Sequence, residues 1–144
     1  GAFFFFKTCL NSSLTTSTEL ARAITAVLIE KKAHNVRLYY VGEGNAITDY
    51  YVNVTGFSST QVMSLADELT HKISTMGRNE LRIEGRGGNS WLLVDYGDVI
   101  VNVFDREARE FYNFDRLLPE SAAVDISDIV AEVDKKLGIN TVKE

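Results

Sequence analysis

The chain has 144 residues, 45% hydrophobic and 24% charged, with a formal net charge of −5. That length suits one domain that buries a core without disulfides or a structural metal, and the single cysteine, Cys9, excludes an internal disulfide and a cysteine-rich zinc site. With 15 basic against 20 acidic residues, the chain lacks the clustered Lys and Arg that neutralise phosphates, so a basic protein surface suits it better than naked nucleic acid.

No apolar run approaches the ~20 residues that span a bilayer, and Phe3 to Phe6 is too short for a signal-peptide core. Gly1 in place of an initiator Met reads as a processed or engineered start, and residues 1–16 as a disordered or tag-derived tail. A first helix is expected from Ser17 to Lys32: Thr16 and Glu19 have capping-box spacing, and Leu20, Ile24, Val27 and Leu28 share a face. Val36 to Val41 is β-branched and aromatic, a strand, followed by a turn at Gly42, Gly44 and Asn45. Tyr50 to Thr55 is a second strand ending at Gly56.

Ser58 and Gln61 mark the start of a second helix, with Phe57 and Val62 spaced as a hydrophobic staple. Val62, Leu65, Ala66, Leu69 and Ile73 form its buried stripe, and Gly77 its C-cap. Glu80 to Arg86 alternates apolar and charged residues, as in a half-exposed strand whose charges discourage edge pairing. Trp91 to Asp95 and Val99 to Phe104 are two further strands, joined by a hairpin turn over Asp95-Tyr96-Gly97-Asp98; their apolar runs suggest central strands covered on both faces. Asp105 caps a short helical segment through Tyr112. After Pro119, Ile126, Ile129, Val130, Val133 and Leu137 make a third helical stripe, with Asp125 as N-cap and Gly138 as its end. The order α-β-β-α-β-β-β-α implies an α/β (α+β) fold with a mixed five-stranded sheet flanked by helices.

Residues able to do chemistry are few. His34 and His71 lie on a connection and a helix surface, with no nucleophile arrangement beside them. Asp95 and Asp98 are the best carboxylate pair. Three residues apart across a turn, they need not converge on metal ions ~4 Å apart, and turn stabilisation explains them as well. Gly85-Arg86-Gly87-Gly88 lacks the Lys-Ser/Thr ending and the following helix of a phosphate loop. For binding, Trp91 begins a strand beside this glycine segment, and Tyr96 sits at a hairpin tip, where an aromatic ring has difficulty reaching its own core. Trp and Tyr are favoured interface anchors. From Asp95 to Asp115, six acidic residues (Asp95, Asp98, Asp105, Glu107, Glu110, Asp115) accompany three arginines. An aromatic pair rimmed by acids fits a basic protein partner; core packing of Trp91 and a solvated charged face are the plainer readings.

Several blocks resemble the Iojap-like ribosomal silencing factors. Ile47-Thr48-Asp49-Tyr50-Tyr51-Val52 with Thr55-Gly56 and Ser58-Ser59 is similar to their opening signature, and Gln61 to Asp67 to their long helix. Glu84-Gly85 and Trp91 to Val101 resemble their most specific block; Arg109-Glu110-Phe111-Tyr112 and Leu117-Leu118 resemble their closing segment. The resemblance implies a nucleotidyltransferase-like fold that has lost the Gly-Ser motif, the paired strand carboxylates and the activity. It further implies binding to ribosomal protein fourteen of the large ribosomal subunit, where it blocks small-subunit joining and represses translation under nutrient limitation. Relatives usually carry His where this chain has Asn102.

The expected arrangement is therefore a tail over 1–16, an Iojap-like domain over 17–118 and a C-terminal helical extension over 119–144. The expected function is a non-catalytic translational repressor without cofactor or metal. Its partner-binding residues are Trp91, Asp95, Tyr96 and Asp98, with Asn102, Glu110 and Tyr112 nearby. Two alternatives stay open: a residual metal-dependent nucleotidyltransferase using Asp95, Asp98 and Glu84, and an adaptor that forms a homodimer through the C-terminal helix. A bacterial cytoplasm is the expected location, and the residues do not separate it from an organelle matrix.

Overall fold

The computed structural model describes residues 14, 16–42, 47–86 and 88–138; expectations for Cys9, Gly44, Asn45 and Gly87, and for nearly all of the tail over 1–16, lie outside them. Helix α1 (Ser17–Glu30) starts on a complete capping box: the Thr16 hydroxyl accepts from Glu19 N at 3.1 Å, and the Glu19 carboxylate accepts from Thr16 N. Helix α2 (Ser59–Thr75) starts on Ser58, whose hydroxyl accepts from Gln61 N at 3.1 Å. It ends in a Schellman motif, with Arg78 N donating to Ile73 O and Gly77 N to Ser74 O, for which Gly77 takes φ +99. The expected staple does not form. Phe57 is exposed and stacks on His34, ring centroids 3.6 Å apart, while Val62 is buried alone in the core.

The strands are β1 (His34–Tyr40), β2 (Tyr50–Gly56), β3 (Arg82–Arg86), β4 (Trp91–Asp95), β5 (Val99–Asp105) and β6 (Ala123–Val124), ordered β3-β4-β5-β2-β1-β6. The sheet thus has six strands, not the expected five. The sixth is a two-residue bridge to Leu38 and Tyr39, too short to show a periodicity. Only β2 and β5 run parallel; every other pairing is antiparallel, so the sheet is mixed. At its centre Val52, Asn53 and Val54 pair in register with Val101, Asn102 and Val103. Of the two runs expected to be covered on both faces, β5 is, but β4 alternates between buried and half-buried.

Alternation sends Tyr50, Val52, Val54, Val94, Val99, Val101 and Val103 to one face, where they join Leu20, Ile24, Leu28, Val62, Leu65, Leu69 and Ile73 of α1 and α2 in one core. Helix α3 (Arg106–Tyr112) lies on the other face; Asp105 caps it by accepting from Ala108 N at 2.8 Å, as the sequence predicts. Helix α4 (Ser127–Leu137) packs on α1, burying Ile129 and Val133, with ion pairs Arg22–Asp128 and Glu30–Lys136 at the margin. Its N-cap position is Ile126, not Asp125, although Asp125 still accepts from Ser127 N at 2.9 Å.

One side chain ties three remote segments together. Arg78, just past α2, donates to Leu14 O at 2.9 Å and Tyr96 O at 3.3 Å, and pairs with the Asp98 carboxylate at 2.7 Å. Arg78 and Asp98 are both largely shielded from water, so removing the guanidinium takes the donor from two carbonyls and a carboxylate. Arg78→Met is expected to lower unfolding free energy by about 2 kcal/mol in urea titrations; an unchanged midpoint would show the clasp to be ornamental.

Candidate partner-binding face

The sheet face opposite α1 and α2 carries a different set of side chains. Cross-strand register places Arg82, Glu84 and Arg86 of β3 beside Trp91, Leu93 and Asp95 of β4. Ile100, Asn102 and Phe104 of β5 follow, then Tyr51, Asn53 and Thr55 of β2, and Tyr39 of β1. Among the described residues, α3 and the 3-10 turn Phe114–Leu117 cover part of this face. Trp91 is half-buried among rings: Phe104 at 5.0 Å, Tyr112 at 4.7 Å and Phe114 at 6.2 Å between centroids, with the Arg86 guanidinium 5.1 Å from its own. Beside this cluster Phe111 and Leu117 are 81% and 75% exposed. Large apolar groups left in water beside a packed aromatic cluster mark an interaction surface more often than a monomer's finished exterior.

A polar chain under these rings fixes their positions. Trp91 Nε1 donates to Asn102 Oδ1 at 3.0 Å, and Asn102 Nδ2 donates to Asn53 Oδ1 at 3.0 Å. Asn53 Nδ2 is buried with no hydrogen-bond partner of ordinary geometry, but it contributes to the field around Asp115. Asp115 is held by Arg109 at 2.9 and 3.1 Å and by the Tyr39 hydroxyl at 2.7 Å. Arg109 also reaches Thr55 Oγ1 at 2.8 Å and Asn35 O at 3.1 Å. Desolvation pushes the Asp115 carboxyl upward. The hydrogen bonds from Arg109 and Tyr39, the Arg109 charge and Asn53 outweigh it, and the pKa falls below the usual carboxylate value. Burial, then the bond to Asp115, pushes the Tyr39 phenol up to about 12. The Arg109–Asp115 pair therefore pins both ends of the α3-to-turn segment, and with it Tyr112 and Phe114, against the sheet.

The structure brings some of the expected residues together and separates others. Trp91, Tyr112 and Asn102 meet directly or through one bond, and Glu110 is exposed on α3. Asn102, however, is fully buried, so it positions Trp91 and offers nothing to a partner itself. The expectation of an exposed Tyr96 is overturned. The hairpin curls its ring to the helix-covered face, 3% exposed, with a hydroxyl that has no partner among the described residues; burial pushes the phenol up. A positive φ at Gly97, +93, permits the turn. Asp95 accepts from Gly97 N at 2.7 Å and sits 3.3 Å from Arg82, and Asp98 pairs with Arg78. The two carboxylates are thus engaged by different arginines, and Glu84 pairs with Arg82 and Arg86. Among the described residues no group of three or more His, Cys, Asp or Glu could hold a metal ion. Sequence reasoning missed Asn53, Arg109 and Asp115. The repeated Val-Asn-Val at 52–54 and 101–103 is the signal that could have found Asn53, since an amide at the centre of two apolar strands needs a buried partner.

A family model described as RsfS, ribosomal silencing factor during starvation, matches residues 14–142. A ribosomal silencing factor RsfS of Halalkalibacterium halodurans is 29% identical over 113 residues, 78% of this chain and 97% of the relative. One of Zymomonas mobilis is 33% identical over 98 residues, 68% of this chain and 74% of the relative. The crystal structure of a Chromobacterium violaceum protein superposes with a TM-score of 0.68 at 25% identity, covering 78% of this chain and 97% of that one.

The lowered pKa of Asp115 gives a sign that can be tested. Its carboxylate stabilises the fold above the unfolded-state value, about 3.9, and that contribution disappears as pH falls through the lower folded-state value. The stability gap between the native chain and Asp115→Asn is expected to be full at pH 6–7 and to shrink below about pH 4. Urea titrations across that range check it; a gap that widens in acid contradicts the assignment.

Proposed function

The chain belongs to the RsfS family of ribosomal silencing factors, and from that premise we propose that it represses translation by occupying the large ribosomal subunit. Its contact is ribosomal protein fourteen of that subunit, met through the face built around Trp91, and its presence there blocks joining of the small subunit. The observation that carries this reading is the aromatic cluster of Trp91, Tyr112 and Phe114 flanked by exposed Phe111 and Leu117. An anchor already held by Asn102 loses little side-chain freedom on binding. Exposed Glu107 and Glu110 on α3, with the net charge of −5, suit a positively charged partner. Steric occupancy requires no catalytic group.

A residual nucleotidyltransferase has less support, because Asp95, Asp98 and Glu84 are each tied to arginines. The nucleotidyltransferase-like ancestry implied by the resemblance is compatible with the parallel β2–β5 pair and α2 rising directly from β2. An adaptor dimerising through the C-terminal helix loses its motive, since Ile129 and Val133 are buried where α4 packs on α1. The bacterial relatives support the bacterial cytoplasm as the place of action.

The decisive measurement is a subunit-joining assay with purified ribosomal subunits, in which the protein is expected to lower the yield of joined ribosomes. Trp91→Ala with Phe111→Ala is expected to weaken co-sedimentation with large subunits about 30-fold, corresponding to ~2 kcal/mol. Met63→Ser, an exposed change on α2 across the sheet, is expected to leave it unaltered. A folded Trp91/Phe111 variant that still co-sediments fully would remove this face from the interface.

A further inference from the structure

The sheet has two unlike edges. On one side β6 contributes two residues and is followed directly by the segment leading into α4. On the other, β3 has β4 as its single neighbour, and its five residues are exposed or half-buried. Leu81 continues the ladder beyond β3, donating to Asp95 O at 2.7 Å. An open edge of this length is a template for another strand.

The side chains on this edge specify which strand. On the face shared with Trp91 and Asp95 the order is Arg82, Glu84, Arg86: alternating charge at every second residue. On the face shared with the core residue Val94 stand Leu81 and Ile83, 71% and 42% exposed, beyond the shelter of α2. We propose that β3 pairs antiparallel with β3 of a second copy of this chain, about a twofold axis at Ile83. In that register Arg82 of each copy faces Glu84 of the other, so both charged pairs at the centre of the seam are complementary. On the opposite face the two Ile83 side chains meet. Centring the axis on Glu84 instead sets Glu84 against Glu84 and Arg82 against Arg86, which like-charge repulsion disfavours. The alternation therefore selects both the partner and the register.

Within one copy these charges already pair, Arg82 with Glu84 at 3.2 Å and with the largely buried Asp95 at 3.3 Å, and Arg86 with Glu84 at 3.0 Å. The pairs with Glu84 are solvent-exposed, contribute little, and re-form across the seam at small cost, while Arg82 keeps its contact to Asp95. A single strand pair buries less than the ~1,200–2,000 Å² of a stable interface, so weak, concentration-dependent association is expected. The proposal rests on β3 alone and does not depend on the ribosomal reading.

Sedimentation velocity over a concentration series tests it without any ribosomal component. The wild-type chain is expected to shift from monomer to dimer. Arg82→Glu and Glu84→Arg each place like charges across the seam and are expected to weaken self-association at least ~10-fold. Mixed in equal amounts, the two single variants regain opposite charges at both central positions, and a heterodimer is expected. Arg82→Glu/Glu84→Arg in one chain is expected to recover the homodimer, which separates lost complementarity from lost folding. A wild-type chain that stays monomeric to several hundred micromolar overturns the proposal, and leaves the edge to an extended segment of some other protein. Single variants that dimerise as well as wild type, or a mixture that gains nothing, overturn it too.

Discussion

The arrangement hangs on two short stretches lying side by side. Val52-Asn53-Val54 and Val101-Asn102-Val103 are adjacent, parallel and in register at the middle of the sheet. Period-2 alternation sends the four valines under α1 and α2 and the two amides to the opposite side. Shifting this pairing by one residue would turn amides into the apolar core and valines toward α3, so both faces depend on one register. A buried amide with a poor partner is costly. The Asn102-to-Asn53 bond and the Trp91 indole donor on Asn102 offset most of that cost here.

From that central pair the two faces take separate tasks. The valine face holds the molecule together with a dry core and two capped helices. The amide face holds Trp91 by its ring nitrogen and surrounds it with Phe104, Tyr112 and Phe114. The Arg109–Asp115 pair fastens the short helix and turn that supply two of those rings. Stability and the proposed recognition thus share a scaffold while using opposite sides of it, which lets the proposed recognition side keep exposed apolar groups that a core could not tolerate.

Much of the fold was legible because caps and periodicities are local. Thr16 with Glu19, Ser58 with Gln61, Asp105, Gly77 and Gly138 each announce a helix end within four residues. What escaped was long-range. The Arg109–Asp115–Tyr39 cluster spans 76 residues between Tyr39 and Asp115, and no spacing rule links them. The sixth strand is too short to show a pattern. A place at a hairpin tip predicts an exposed Tyr96, whereas Gly97 lets the turn curl inward and bury the ring. Phe57 was given to the staple, but His34, distant in sequence, offered a flat ring to stack on. Of the candidate site, Trp91 was readable as an aromatic residue beside acids and Tyr112 through the segment that resembles the family; the burial of Asn102 needed the strand register.

The packing of α4 on α1 joins the last described helix to the first described one. A nascent chain emerging from the ribosome presents α1 more than a hundred residues before its final neighbour exists. Until residues 127–137 leave the exit tunnel, the side of α1 that α4 covers stays open to water, and the closing contact is one of high sequence separation. A translation product that stops before residue 127 therefore carries an unsealed helix that chaperones and proteases can distinguish from one that includes α4.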